Sequence, residues 1–171
     1  MTGAVRLLWA GGLAALLCFV ALAVMSKFWL EPDGLIVFDS RLRGYDPAAA
    51  RAYLAALSAD QRALYLGAFR VLDTVFPIVL AGTLAGVIWR GAGVRLAMVR
   101  VLALLMPGVY LMLDLTENAL VAVILRGQAT DATIVLASAL TQGKWLVLAV
   151  AMLLAVWAMR RGADTQQGRM A

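Results

Sequence analysis

Residues 101–125 read VLALLMPGVYLMLDLTENALVAVIL. The run is longer than the about 20 residues a helix needs to cross a hydrocarbon layer. It is apolar on every side, so it lacks the period-two alternation of a membrane strand. A helix satisfies its own backbone hydrogen bonds in lipid, which makes a membrane-crossing helix the natural reading. Yet the run carries Asp114, Glu117 and Asn118. A charge near the centre of such a helix costs about 2.5–3.5 kcal/mol on insertion scales, so these groups are expected to face a bundle interior or a wet cavity. Spacings of three and four put the three on one helix face, with Tyr110 one turn from Asp114.

The same reading finds spans at 5–26, 71–89 and 133–159, the last interrupted by Thr141-Gln142-Gly143-Lys144. The expected fold is therefore all-α. It is a four-transmembrane-helix antiparallel bundle forming one integral membrane domain. An extracytoplasmic, partly helical loop over 27–70 joins spans one and two, and a flexible polar tail covers 160–171. Composition agrees, with 64% hydrophobic and 15% charged residues, against about 45–50% and about 25% in soluble domains. Trp9, Trp29, Trp89, Trp145 and Trp157 all fall near expected span ends, where indole prefers the membrane interface. Ala21-Leu22-Ala23 resembles a signal-peptide cleavage pattern, but Arg6 alone precedes the apolar run and the run continues to Met25. An uncleaved first helix is the preferred reading.

Orientation follows from basic residues close to the span ends. Arg90, Arg95, Arg100, Arg160 and Arg161 lie in short segments, whereas Arg41, Arg43, Arg51 and Arg62 are spread over one long loop among Glu31, Asp33, Asp39, Asp46 and Asp60. Both termini are accordingly expected in the cytoplasm of a cell with the protein in its inner membrane. The short connections, Arg90 to Arg100 and Arg126 to Ala132, make hairpins, with Gly127 as a helix C-cap. Within the loop, Glu31-Pro32-Asp33-Gly34 has turn chemistry, and Leu35-Ile36-Val37-Phe38 reads as a short strand or a segment in the headgroups. Asp46-Pro47 reads as a helix start. Ser58-Ala59-Asp60-Gln61 reads as a capping box leading towards span two, with Arg62, Tyr65, Phe69 and Arg70 as an interfacial collar.

Several chemistries are excluded. The chain has no His and a single cysteine, Cys18. That removes His-based triads, zinc sites of the HExxH type, disulfides and CxxC redox work. There is no phosphate-binding glycine loop and no metal-ligand spacing, so no cofactor and no metal are expected. The formal net charge of +5 suits anionic lipid headgroups. The basic residues border spans instead of forming a patch, so nucleic acid is not an expected partner.

The candidate ligand-binding residues are Asp73, Asp114, Glu117, Asn118 and Lys144. Antiparallel packing would bring them to one height, with Thr74, Thr141 and Gln142 nearby and Arg70 within reach of Asp73. Lys144 is expected to pair with Glu117, or with Asp73, which leaves Asp114 as the available carboxylate. The functional reading is a polar pocket for a membrane lipid or a lipid-soluble small molecule. The structural reading is a clamp that fixes helix register. An acid–base enzyme using Asp114 and Glu117 on a lipid-soluble substrate is the alternative, and an accessory subunit a third reading. Gly82 and Gly86 form a small-residue pair, read as internal packing ahead of an oligomer interface.

Overall fold

The computed structural model describes residues 2–92 and 97–167. Arg95 in the short basic connection, and Gly168 and Arg169 in the tail, lie outside the described residues. Among those described, all regular structure is helical and there is no strand. Helix α1 (Gly3–Met25) runs on through a π-helical turn at Ser26–Leu30. The loop carries two 3-10 turns, Pro32–Gly34 and Phe38–Ser40, and helix α2 (Pro47–Ala56). Helix α3 (Ala59–Leu64) leads through a wide turn, Tyr65–Phe69, into α4 (Arg70–Gly91). Helices α5 (Ala97–Leu125) and α6 (Asp131–Gln167) complete the chain. Four stretches, Gly3–Leu30, Ala59–Gly91, Arg100–Leu125 and Asp131–Arg161, are long and apolar enough to cross a membrane. Helix α4 packs against α1, α5 and α6, and α5 packs along α6.

The local signals hold where the chemistry is explicit. Asp46 Oδ1 accepts from the Ala49 N–H at 2.7 Å and caps α2. Ser58 and Gln61 form both halves of the capping box. Gly127 ends α5 at φ 73°, in the left-handed region where glycine carries no Cβ penalty. Helix α6 passes unbroken through Thr141 to Lys144. There the Thr141 hydroxyl oxygen lies 3.1 Å from the Ala137 carbonyl one turn back.

Three expectations change. Leu35 to Phe38 forms no strand, and its second half turns inward while Ile36 stays exposed. Val37 and Phe38 are fully buried, because the loop folds inward. The helix leading into span two starts at Ala59, directly after the expected capping box, and the stretch that can cross a membrane begins there instead of at 71. Its collar is also no collar: Tyr65 and Phe69 are buried, and they belong to an aromatic chain that runs Phe38–Tyr53–Tyr65–Phe69 through edge contacts. Arg62 ties this region down by donating to the carbonyls of Leu54 and Leu125. Burial pushes the Tyr53 phenol above its ordinary value, so it remains a neutral donor, to the Leu30 carbonyl at 2.7 Å. The loop meets α6 at Gly44. Its φ is 75°, a Cβ there would run into Ser138 and Gln142, and the next N–H, of Tyr45, donates to Ser138 Oγ at 2.7 Å.

The interior is layered. One apolar layer holds Leu22, Phe38, Tyr53, Tyr65, Phe69, Ile124 and Ile134. A second holds Ala81, Leu84, Ile88, Ala103, Tyr110, Leu148 and Ala155. Along α4, α5 and α6 the buried polar residues fall between these two sets: Asp73 on α4, Asp114, Glu117 and Asn118 on α5, and Ser138, Thr141 and Lys144 on α6. Among the tryptophans, Trp9, Trp29 and Trp89 are exposed, but Trp145 turns inward and donates to the Asp39 carbonyl at 2.9 Å.

The two members of the small-residue pair behave differently: Gly86 packs inside the bundle and Gly82 does not. Gly86 faces Leu8 on α1, whereas a Cβ on Gly82 would meet nothing within 4 Å. The close approach lies at Gly91, where a Cβ would overlap the backbone of Ala158 on α6. Gly91→Leu should therefore lower the melting temperature in detergent, at an overpacking cost of about 1–3 kcal/mol, while Gly82→Leu leaves it unchanged. Equal losses in the two variants would contradict this packing.

Candidate functional site

Lys144 stands at the centre of the polar layer. Its ammonium lies 2.9 Å from Asp114 Oδ1 and 3.0 Å from Asp39 Oδ1, and it also pairs with Glu117 Oε2. An ammonium has three N–H donors and no acceptor; the contact to Asp39 Oδ1 is a hydrogen bond, and Asp114 and Glu117 share the same positive charge as ion-pair partners. The remaining carboxylate oxygens are also served. Tyr65 donates to Asp39 Oδ2 at 2.9 Å, Asn118 Nδ2 lies 3.3 Å from Asp114 Oδ2, and Thr141 donates to Glu117 Oε1. Glu117 is fully buried and Lys144 nearly so. Buried charges persist when paired and hydrogen-bonded: each of these carboxylates has the ammonium as counter-charge and one oxygen hydrogen-bonded, while Glu117 Oε2 has the ion pair alone.

Helix chemistry sets one further contact. Pro77 sits inside α4. Proline has no N–H, so the carbonyl four residues earlier lacks its helical partner. That carbonyl belongs to Asp73, and Asn118 Nδ2 donates to it at 3.1 Å. One asparagine thus bridges the α4 backbone and the Asp114 side chain, fixing α4 against α5.

The five expected residues do converge, but their pairing differs from the expectation. Lys144 pairs with Glu117 and with Asp114 together, so Asp114 is not the available carboxylate. The reason is geometric: three residues separate Asp114 from Glu117, which puts both on the side of α5 that faces Lys144. Asp73 is the one without a direct hydrogen bond or ion pair to its carboxylate among the described residues. Arg70 makes no ion pair with it, and Thr74 donates instead to the Arg70 carbonyl at 2.8 Å. Gln142 points to the loop near Gly44. Asp39 was not anticipated, since an acid in a long polar loop looks solvated. The signal lay in its position directly after the apolar run that ends at Phe38. Tyr65 and Trp145, both holding Asp39, were hidden for the same reason.

Beside this cluster lies a cleft of about 320 Å³. Phe19 and Leu22 of α1, Phe69 and Phe76 before and within α4, and Leu148 of α6 give it apolar walls, and Asp39, Asp73, Asp114 and Lys144 line its polar end. Ala23, Ser40 and Leu42 also line it and are exposed, so the cleft opens between α1 and the loop. Among the described residues no group of His, Cys, Asp and Glu is arranged to hold a metal ion, and the central position among the carboxylates belongs to the lysine ammonium. No protein-family model, characterised protein or solved structure matches this chain.

The pairing pattern predicts an asymmetric response to neutralisation. Lys144→Met leaves Asp39, Asp114 and Glu117 facing one another and should cost about 3–5 kcal/mol. Asp114→Asn and Glu117→Gln should each destabilise, because each loses a direct ion pair. Asp73→Asn should leave the melting temperature within a degree or two. Detergent melting curves check this ordering. A loss at Asp73 as large as that at Glu117 would place an ion pair where the structure has none.

Proposed function

We propose that this is a small inner-membrane protein, an antiparallel four-helix bundle whose cleft binds a membrane lipid or small amphiphile. The bundle direction draws support from residue pairs that run in opposite order along neighbouring helices. Leu8 meets Gly86, Gly11 meets Thr83 and Phe19 meets Phe76 between α1 and α4, while Asp114 meets Lys144 and Glu117 meets Thr141 between α5 and α6. Both termini are cytoplasmic in this reading, and the loop with α2 lies on the outer side.

The observation that carries the ligand reading is the cleft itself. Ligand sites combine apolar walls with a few convergent polar groups, and here hydrocarbon and ring surfaces lead to one charged end. Its rim includes Phe19 and Ala23 on the exposed side of α1. A chain diffusing in the bilayer would therefore enter sideways between α1 and the loop, with its head drawn towards the carboxylates.

Two experiments test this. A dodecanol derivative carrying a diazirine on its chain should label peptides around Phe19, Leu22 and Leu148 saturably in the purified protein. Ala23→Trp, which adds bulk at the exposed rim without touching the buried cluster, should suppress that labelling. Uniform labelling of outward residues such as Leu7, Leu13 and Met112, unchanged by Ala23→Trp, would remove the ligand reading. For topology, a cysteine replacing Asp46 in a Cys18→Ala background should react with an impermeant maleimide on intact cells, and one replacing Arg90 should not. The opposite pattern reverses the orientation.

A further inference from the structure

The polar end of the cleft has an unequal supply of donors and acceptors. Lys144 is its one basic side chain among the described residues, and its ammonium is already ion-paired with three carboxylates, Asp39, Asp114 and Glu117. An anionic head would have to compete with all three for that single positive charge. Asp73 is the reverse case. It is only 7% exposed, lines the cleft, and its carboxylate has no direct partner among the described residues. The walls add a second preference. Phe19, Phe69, Phe76, Tyr110 and Trp145 surround the space, and aromatic faces attract cations.

We infer that the cleft selects amphiphiles with a cationic, N–H-bearing amine head over neutral or anionic ones, with Asp73 receiving the head. This rests on the cleft being an amphiphile site. The ammonium of the ligand completes the layer: it gives the fourth carboxylate a donor and a counter-charge, as Lys144 gives the other three their counter-charge. An anionic head would instead enter a region with carboxylates at Asp39, Asp73 and Asp114 and, among the described residues, no cation that is not already ion-paired, and a hydroxyl head would donate to Asp73 without supplying charge.

The test uses three probes of one chain length on the full protein in dodecyl maltoside micelles at neutral pH: dodecylamine, dodecanol and dodecanoate. Each competes against labelling by the diazirine dodecanol. In the wild type, dodecylamine should compete at about tenfold lower concentration than dodecanol, since ionised hydrogen-bond pairs are roughly twice as strong as neutral ones, and dodecanoate should be the weakest. Asp73→Asn should shrink the advantage of dodecylamine over dodecanol from about tenfold to about twofold or less, and comparing that ratio between the two proteins cancels differences in micelle partitioning. Asp73→Ser serves as a second variant should the first fail to fold. If dodecanol or dodecanoate matches dodecylamine in the wild type, or the amine preference survives loss of Asp73, the head-group assignment is wrong while the cleft remains an amphiphile site. If none of the three competes saturably, the amphiphile site itself falls and the assignment with it.

Discussion

One buried ammonium organises this protein. Lys144 on α6 meets Asp114 and Glu117 on α5 and Asp39 from the turn at Phe38–Ser40. An ion pair taken out of water is expensive, and its attraction offsets that cost only when geometry is good and every remaining polar atom finds a partner. Here the partners come from distant parts of the chain: Tyr65 and Trp145 hold Asp39, Thr141 holds Glu117, and Asn118 holds Asp114. The cost of an error at this centre is therefore felt by α4, α5, α6 and the loop together.

The centre also explains why the loop belongs to the fold. Asp39 can reach Lys144 only if Val37 and Phe38 are drawn inward, and both are fully buried. Phe38 then joins the aromatic chain through Tyr53, Tyr65 and Phe69. Apolar burial and ion pairing thus support one loop position. The height of the polar layer is set between two apolar layers, and a shift of one helix by a turn would set a charge against hydrocarbon. Register follows from this penalty in a membrane, where apolar surfaces alone discriminate poorly among alignments. The cleft exists because α1 covers only part of that layer, leaving Asp73 beside an opening lined by Phe19 and Ala23.

Much of this could be read from the residues alone, for a physical reason. Charges within long apolar runs are costly enough to stand out, so Asp73, Asp114, Glu117, Asn118 and Lys144 declared themselves, and explicit caps such as Asp46 and Ser58 with Gln61 declared the loop helices. The partner of each charge did not follow from spacing. Helical periodicity gives a face, not how many carboxylates share one ammonium, and so Asp114 was expected free where Asp73 is. Asp39, Tyr65 and Trp145 were illegible because polar and aromatic residues near span ends look the same whether they face headgroups or fold inward. The close approach of Gly91 to Ala158 was likewise masked by the more conspicuous spacing of Gly82 and Gly86.

The central claim is that Lys144 binds the loop to the spans through Asp39. A double-mutant cycle of Lys144→Met and Asp39→Asn, followed by reversible unfolding in mixed micelles, measures that link directly. Contacting residues in one ionic network couple by about 0.5–3 kcal/mol, and this account predicts a value in the upper half of that range, with the double variant less destabilised than the sum of the single ones. Additive losses would show that Asp39 and Lys144 act independently, and the ammonium-centred account would be contradicted.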